Sequence, residues 1–190
     1  MLKDLVTKCR SYRRFHEDVP VSESTLRELV DLARLAASGG NRQPLKYALS
    51  WTPERNAVVF ACLGWAMYLK DSWAGPAEGE RPSAYIIVLG DKKIAPSQGI
   101  DHGFASQNIM LGAVEKGLGG CVIASVQREK LQAALAIPVH LEILHAIALG
   151  KPKEQVVIEE MLPGGDFKYY RDADDVHHVP KRRLDDIIVG

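Results

Sequence analysis

The chain has 190 residues, 46% of them apolar, with 24 Lys and Arg balanced by 24 Asp and Glu. That length predicts one domain, or one domain with arms, able to bury a substantial core. Zero net charge gives no case for a nucleic-acid or membrane-surface binder. The widely spaced Cys9, Cys62 and Cys121, with no CxxC pair, argue against a disulfide framework and a structural zinc site.

The opening MLKDLVTKCR is charged and amphipathic, so it is no signal peptide, and no apolar run reaches the length of a bilayer span. A reduced cytoplasmic compartment is the expectation. Leu2, Leu5, Val6 and Cys9 fall at helical spacing and predict a short amphipathic helix. It runs into Arg10-Ser11-Tyr12-Arg13-Arg14-Phe15. Arginines beside a serine can hold a phosphate through charge-assisted donors and a hydroxyl. The alternative is a solvated basic turn, which composition alone favours.

A second helix follows Pro20, with Ser22 as N-cap and Leu26, Leu29, Val30, Ala33 and Ala37 as its buried stripe. It stops at Ser38-Gly39-Gly40, before Asn41-Arg42-Gln43-Pro44. Amides in such a loop can pair with a heteroaromatic edge or a polyol. They are also ordinary turn formers, and that reading is favoured for the loop taken alone. Residues 46–51 alternate as a half-buried strand, and 56–69 read as a helix. Residues 71–83 hold Gly75, Pro76, Gly79 and Pro82 and read as a loop. Trp73 within it either stacks on a ligand or pins the loop to the core.

Residues 84–89 are a continuous apolar run, a central buried strand that Gly90 ends. A long helix over 101–116 follows. Its small residues (Gly103, Ala105, Ser106, Gly112, Ala113) predict a fully buried helix, in a core or at a subunit contact, where Gln107 and Asn108 need partners. Lys116 and Gly117 end it. In Gly119-Gly120-Cys121-Val122-Ile123-Ala124, glycines precede an apolar run, so the backbone comes close to something flat or bulky. Ser125 is expected to cap a short helix over 128–135. Residues 140–149 form another strand, with Ile143, His145 and Ile147 on one face and His145 a core histidine.

From Lys151 the pattern fades, apart from a strand-like 156–158. A tail without its own core needs another surface, and wrapping a second subunit supplies one. Adjacent His177 and His178 point opposite ways if extended, so metal binding there has little support. Lys181-Arg182-Arg183-Leu184 is a second basic cluster, and 187–189 could add an edge strand. No GxGxxG, GxxxxGK[ST], HExxH or GxSxG motif is present. Any enzyme chemistry is therefore expected from a bound cofactor rather than a side-chain nucleophile.

Taken together, Arg10–Phe15, the 38–44 loop, the 84–89 strand, the 101–124 stretch with its GLGG turn, Gly150-Lys151-Pro152 and Lys181–Leu184 resemble the FMN-dependent nitroreductase family, in its order and spacing. The resemblance implies an α+β fold with a mainly antiparallel central sheet flanked by helices. It puts the long helix at a homodimer interface and extends the C-terminal arm, about 151–190 of a single domain 1–190, onto the partner.

By the same resemblance, Arg10, Ser11 and Arg13 hold the FMN phosphate and ribityl chain, and Asn41 and Gln43 contact flavin from the other subunit. Ile123, Ala124 and Ser125 lie beside the isoalloxazine, largely through backbone, and Lys181 and Arg183, either of which Arg182 could replace, sit near the phosphate. Cys9 stands where many members carry a basic residue, and Leu45 where many carry Trp. The implied activity moves hydride from NADH or NADPH through flavin N5 to a nitroaromatic, quinone or similar acceptor, with no catalytic side chain and no metal. The alternative is a non-catalytic dimeric FMN-binding protein for storage, sensing or delivery. A third possibility is related chemistry on the same scaffold, such as desaturation or dehalogenation.

Overall fold

The computed structural model describes every residue except Lys70 and Ser72. Its centre is β3 (Ala84–Asp91), buried along its whole length. On one side β3 pairs with β2 (Leu45–Ser50), on the other with β5 (Leu141–Pro152), both antiparallel. The far edge of β5 is shared by β4 (Gly119–Ile123) and the two-residue β1 (Phe15–His16). The strand predicted to stop at Gly90 continues through it, and a side chain there would collide with Gln98.

Alternation along β3 explains why helices cover both faces. Ala84, Ile86 and Val88 point into one apolar cluster with α2 (Glu23–Arg34) and α4 (Asp101–Glu115). Tyr85, Ile87 and Leu89 point into a second with α3 (Pro53–Phe60) and α5 (Arg128–Ala134). The result is an α+β fold with a mainly antiparallel central sheet flanked by helices. A bulge interrupts β5: Val88 faces His145 but Leu89 faces Ile143, so Leu144 is the extra residue. Ile143 therefore joins the second cluster while Ile147 joins the first, and the predicted single face for 143, 145 and 147 is split.

Ser22 caps α2 as predicted, accepting from Thr25 N–H at 3.1 Å. The helix ends at Arg34, three residues early, leaving Ala37 exposed and outside the stripe. The short helix α1 (Leu2–Lys8) also forms as predicted. α4 is buried on one side only, for Gly103, Phe104 and Gln107 are open in the protomer. Gly112 serves the contact with α2, where a Cβ would come within 2.3 Å of Leu32. Asn108 Nδ2 donates to the Leu32 carbonyl at 3.0 Å. Gly117, at φ 70°, closes the helix, with Leu118 N–H reaching the Ala113 carbonyl at 2.8 Å.

Two predicted helices shift. α3 starts at Pro53, capped by Thr52, and stops at Phe60 rather than running to Leu69. Cys62 and Gly64 are taken by the chain around Ser125 instead: Gln127 N–H bonds the Cys62 carbonyl and Gly64 N–H the Ser125 carbonyl, each at 2.8 Å. Ser125 is thereby removed as a cap for α5, whose N-cap is Gln127. Within the predicted 71–83 loop, Ser72 lies outside the described residues. Trp73 pins rather than protrudes, with the Arg171 guanidinium 4.5 Å over its ring.

Beyond β5 the chain is more ordered than its pattern suggests. β6 (Val156–Glu160) pairs parallel with β8 (His177–Lys181), and β7 (Tyr170–Arg171) closes a three-stranded sheet. Residues 187–189 add no strand, and Ile187, Ile188 and Val189 are exposed. Cys9, Cys62 and Cys121 are buried and free. Among the described residues, no helix is long and apolar enough to cross a membrane.

Candidate functional site

The turn after α1 lies directly on β4. Ser11 pairs with Gly120, and Tyr12 N–H donates to the Gly120 carbonyl at 2.9 Å. A Cβ on Gly119 would meet the Tyr12 ring at 2.5 Å, and one on Gly120 the Ala148 carbonyl at 2.7 Å. The bulky object that Gly119 makes room for is therefore Tyr12, while Gly120 lies against the β5 backbone. The next residues are anchored by Glu154, whose side chain is 1% exposed. Its carboxylate accepts Arg13 N–H, Arg14 N–H and Arg171 Nη2, the last at 2.8 Å.

The small sheet brings its inward residues onto this turn. The Arg13 guanidinium lies 4.7 Å over the Tyr169 ring, with Nη1 3.3 Å from His177 Nε2. Burial, then the neighbouring Arg13 and Arg171, push the His177 imidazole down to about 4. Neutral His177 therefore accepts from Arg13, because a guanidinium can only donate. As predicted for adjacent histidines, His178 points outward instead, between Glu159 at 3.1 Å and Asp172 at 3.0 Å.

These groups frame one end of a groove. A cavity of about 270 Å³ is lined by Arg10, Ser11, Arg13 and Lys181, together with His177 and Tyr169. None of its described lining residues is acidic. Arg10 donates Nη2 to the Val6 carbonyl at 2.8 Å, while its Nε is buried without a partner. Across Gln107, Met110 and Val122, which line both, the cavity adjoins a hollow of about 370 Å³ lined by Ala124, His102 and His145. There Ser106 Oγ and His145 Nε2 are 2.7 Å apart, and burial holds the His145 imidazole down to about 4.

The predicted site residues divide accordingly. Arg10, Ser11, Arg13, Lys181 and Ala124 line the groove. Ile123 turns its side chain into the core, and Val122, one residue earlier and 43% exposed, faces the groove. Ser125 is occupied with Gly64. Arg183 lies outside the groove and pairs with Asp186 at 3.2 Å. Asn41 is exposed, and Gln43 lines a separate hollow of about 220 Å³ beside Asp101 and Tyr47. Strand alternation points to Val122 once the strand is placed. Tyr169 and His177 carry no comparable sequence signal.

Comparison with known proteins agrees with this architecture. The model of the Nitroreductase family matches residues 6–68 and 67–151. A Thermus thermophilus protein named "NADH dehydrogenase" is 29% identical, covering 85% of this chain and 91% of its own. Among solved structures, an FMN-dependent nitroreductase from Clostridium difficile R20291 superposes with a TM-score of 0.64 at 23% identity, over 90% of this chain and 92% of that one. A nitroreductase family protein from Streptococcus pneumoniae TIGR4 superposes at 0.68 with 15% identity, over 86% and 96%.

Proposed function

The chain belongs to the nitroreductase family, and we propose that it is an FMN-dependent oxidoreductase passing hydride from NAD(P)H to a nitroaromatic, quinone or similar acceptor. One observation carries this reading. Arg10, Arg13 and Lys181, from opposite ends of the sequence, surround one cavity that continues along β4. An FMN phosphate carries close to two negative charges, and three cations facing no lining carboxylate suit it. The partnerless Arg10 Nε is a buried donor in want of an acceptor.

In this reading Arg10, Ser11, Arg13 and Lys181 hold the phosphate, and Val122 and Ala124 floor the ring. The chemistry that bound FMN supplies is two-electron transfer from nicotinamide to acceptor. Neutral His177 keeps the Arg13 guanidinium oriented without competing for the anion. The names of the Thermus and Clostridium proteins support the nicotinamide and the flavin, respectively. We read 1–190 as one domain forming a homodimer. The open side of α4 supports that interface, as does the separation of Asn41 and Gln43 from the groove, which suits contact with a partner's flavin. Residues 151–190 form an arm at its edge.

The test is the visible spectrum of the purified protein with FMN, followed by anaerobic NADH. Flavin bands that appear and bleach rapidly are expected. Bound flavin that stays oxidised points to the storage or delivery reading, and protein that takes up no flavin ends the proposal.

A further inference from the structure

The loop that carries Asn41 and Gln43 is strained. Gly40, Asn41 and Gln43 stand at φ 59°, 52° and 52°. Glycine adopts this conformation freely and asparagine tolerates it, but glutamine does not favour it. Gln43 also precedes Pro44, and a residue before proline prefers extended backbone. Such strain persists only where the surroundings over-determine it.

Those surroundings converge on one carboxylate. Asp101 opens α4 and is 6% exposed. Its Oδ1 accepts Gly39 N–H at 3.0 Å, and its Oδ2 accepts the Ser38 hydroxyl at 2.6 Å. With its proton committed to Asp101, Ser38 Oγ accepts Gln43 N–H at 2.9 Å. Gln43 Nε2 then donates to the Asn41 carbonyl at 3.2 Å. A chain of hydrogen bonds thus runs from the buried acid through Ser38 to the residue whose backbone is most strained.

We propose that Asp101 is a positioning residue. Acting through Ser38, it fixes the left-handed backbone that aims the Asn41 and Gln43 amides at the flavin. This rests on the FMN reading above. An amide that must meet a ring edge needs placing within a fraction of an ångström, and an unsupported loop at these angles relaxes away. An acid in the first turn also favours a helix through its dipole, with no bearing on flavin. Ser38 separates the two roles, because it lies outside α4 and brings no charge to the helix dipole, while its hydroxyl links Asp101 to Gln43.

The experiment compares wild type, Ser38→Ala, Ser38→Thr and Asp101→Asn as full chains. FMN affinity is read from flavin fluorescence, with the bound-flavin absorption bands and the thermal transition of each variant. Ser38→Ala is expected to bind FMN about tenfold more weakly, the loss of one hydrogen bond in the relay, and to shift the bound-flavin bands. Ser38→Thr keeps the hydroxyl and restores both. Asp101→Asn weakens binding in the same direction. Wild-type affinity and bands in Ser38→Ala overturn the inference and leave the FMN reading intact. Affinity that falls only in step with the thermal transition, with unchanged bands, marks a structural role and also overturns it. Wild type that binds no FMN ends both.

Discussion

β3 and β8 are held by different physics. Every residue of β3 is buried, its side chains alternate between two apolar clusters, and both neighbours pair with it antiparallel. β8 reads HHVPK, buries only His177 fully, and is tied to the body through Arg13, Tyr169 and the Glu154–Arg171 pair. Burying an aliphatic side chain contributes about 1.5–3 kcal/mol, whereas a half-exposed cation–π contact contributes ~0.5–1 kcal/mol. The sheet centre therefore sets global stability. The groove's charged end belongs to the part that opens at lower free energy. The scaffold and the anion end can be perturbed separately.

The largest separation comes from Arg10→Ala with Arg13→Ala. Each lost charge-assisted contact costs about 1.5–3 kcal/mol of FMN affinity, with little change in the urea midpoint of the cofactor-free protein. Equal affinity in a titration would remove the phosphate from this cavity. Ile86→Ala is the mirror case. Ile86 is fully buried, so about 2–5 kcal/mol of unfolding free energy is lost while FMN affinity of the folded protein holds.

Acid acts on both regions. His145 under α4 and His177 in the arm are each held at about 4, below the ordinary 6.5. The unfolded chain takes up these protons first, so stability is full above pH 6.5 and falls between pH 6.5 and 4. Urea midpoints across that range measure it, and removing either imidazole flattens the slope. Smallest is Arg183→Ala. Its exposed pair with Asp186 is screened by solvent, so stability hardly changes, and FMN affinity stays at the wild-type value. A clear loss of affinity would bring Arg183 back to the phosphate.

How much of this the sequence discloses follows the same division. The 84–89 run, the Ser22 cap and the Gly117 stop are local signals, and each is found in place. The early end of α3 is not local, because its next turn is diverted to pair with 125–127, some sixty residues away. Nor is the bulge at Leu144, which only the register against β3 reveals. Of the arm strands only 156–158 shows in the pattern; β7 and β8 lack alternation, and β8 contains Pro180, so nothing in their spacing announces a sheet. Arg10, Ser11, Arg13 and Lys181 are findable as charge and hydroxyl clusters. Val122 needs the strand's parity, and Tyr169 and His177 need the fold.

The Arg13–His177 contact spans 164 positions of sequence. A chain made from its N-terminus emerges with Arg10 and Arg13 first, and the sheet centre is complete after β5. His177 and Lys181 arrive only later. In the proposed reading, then, the anion clamp is complete only when β8 docks on the turn after α1.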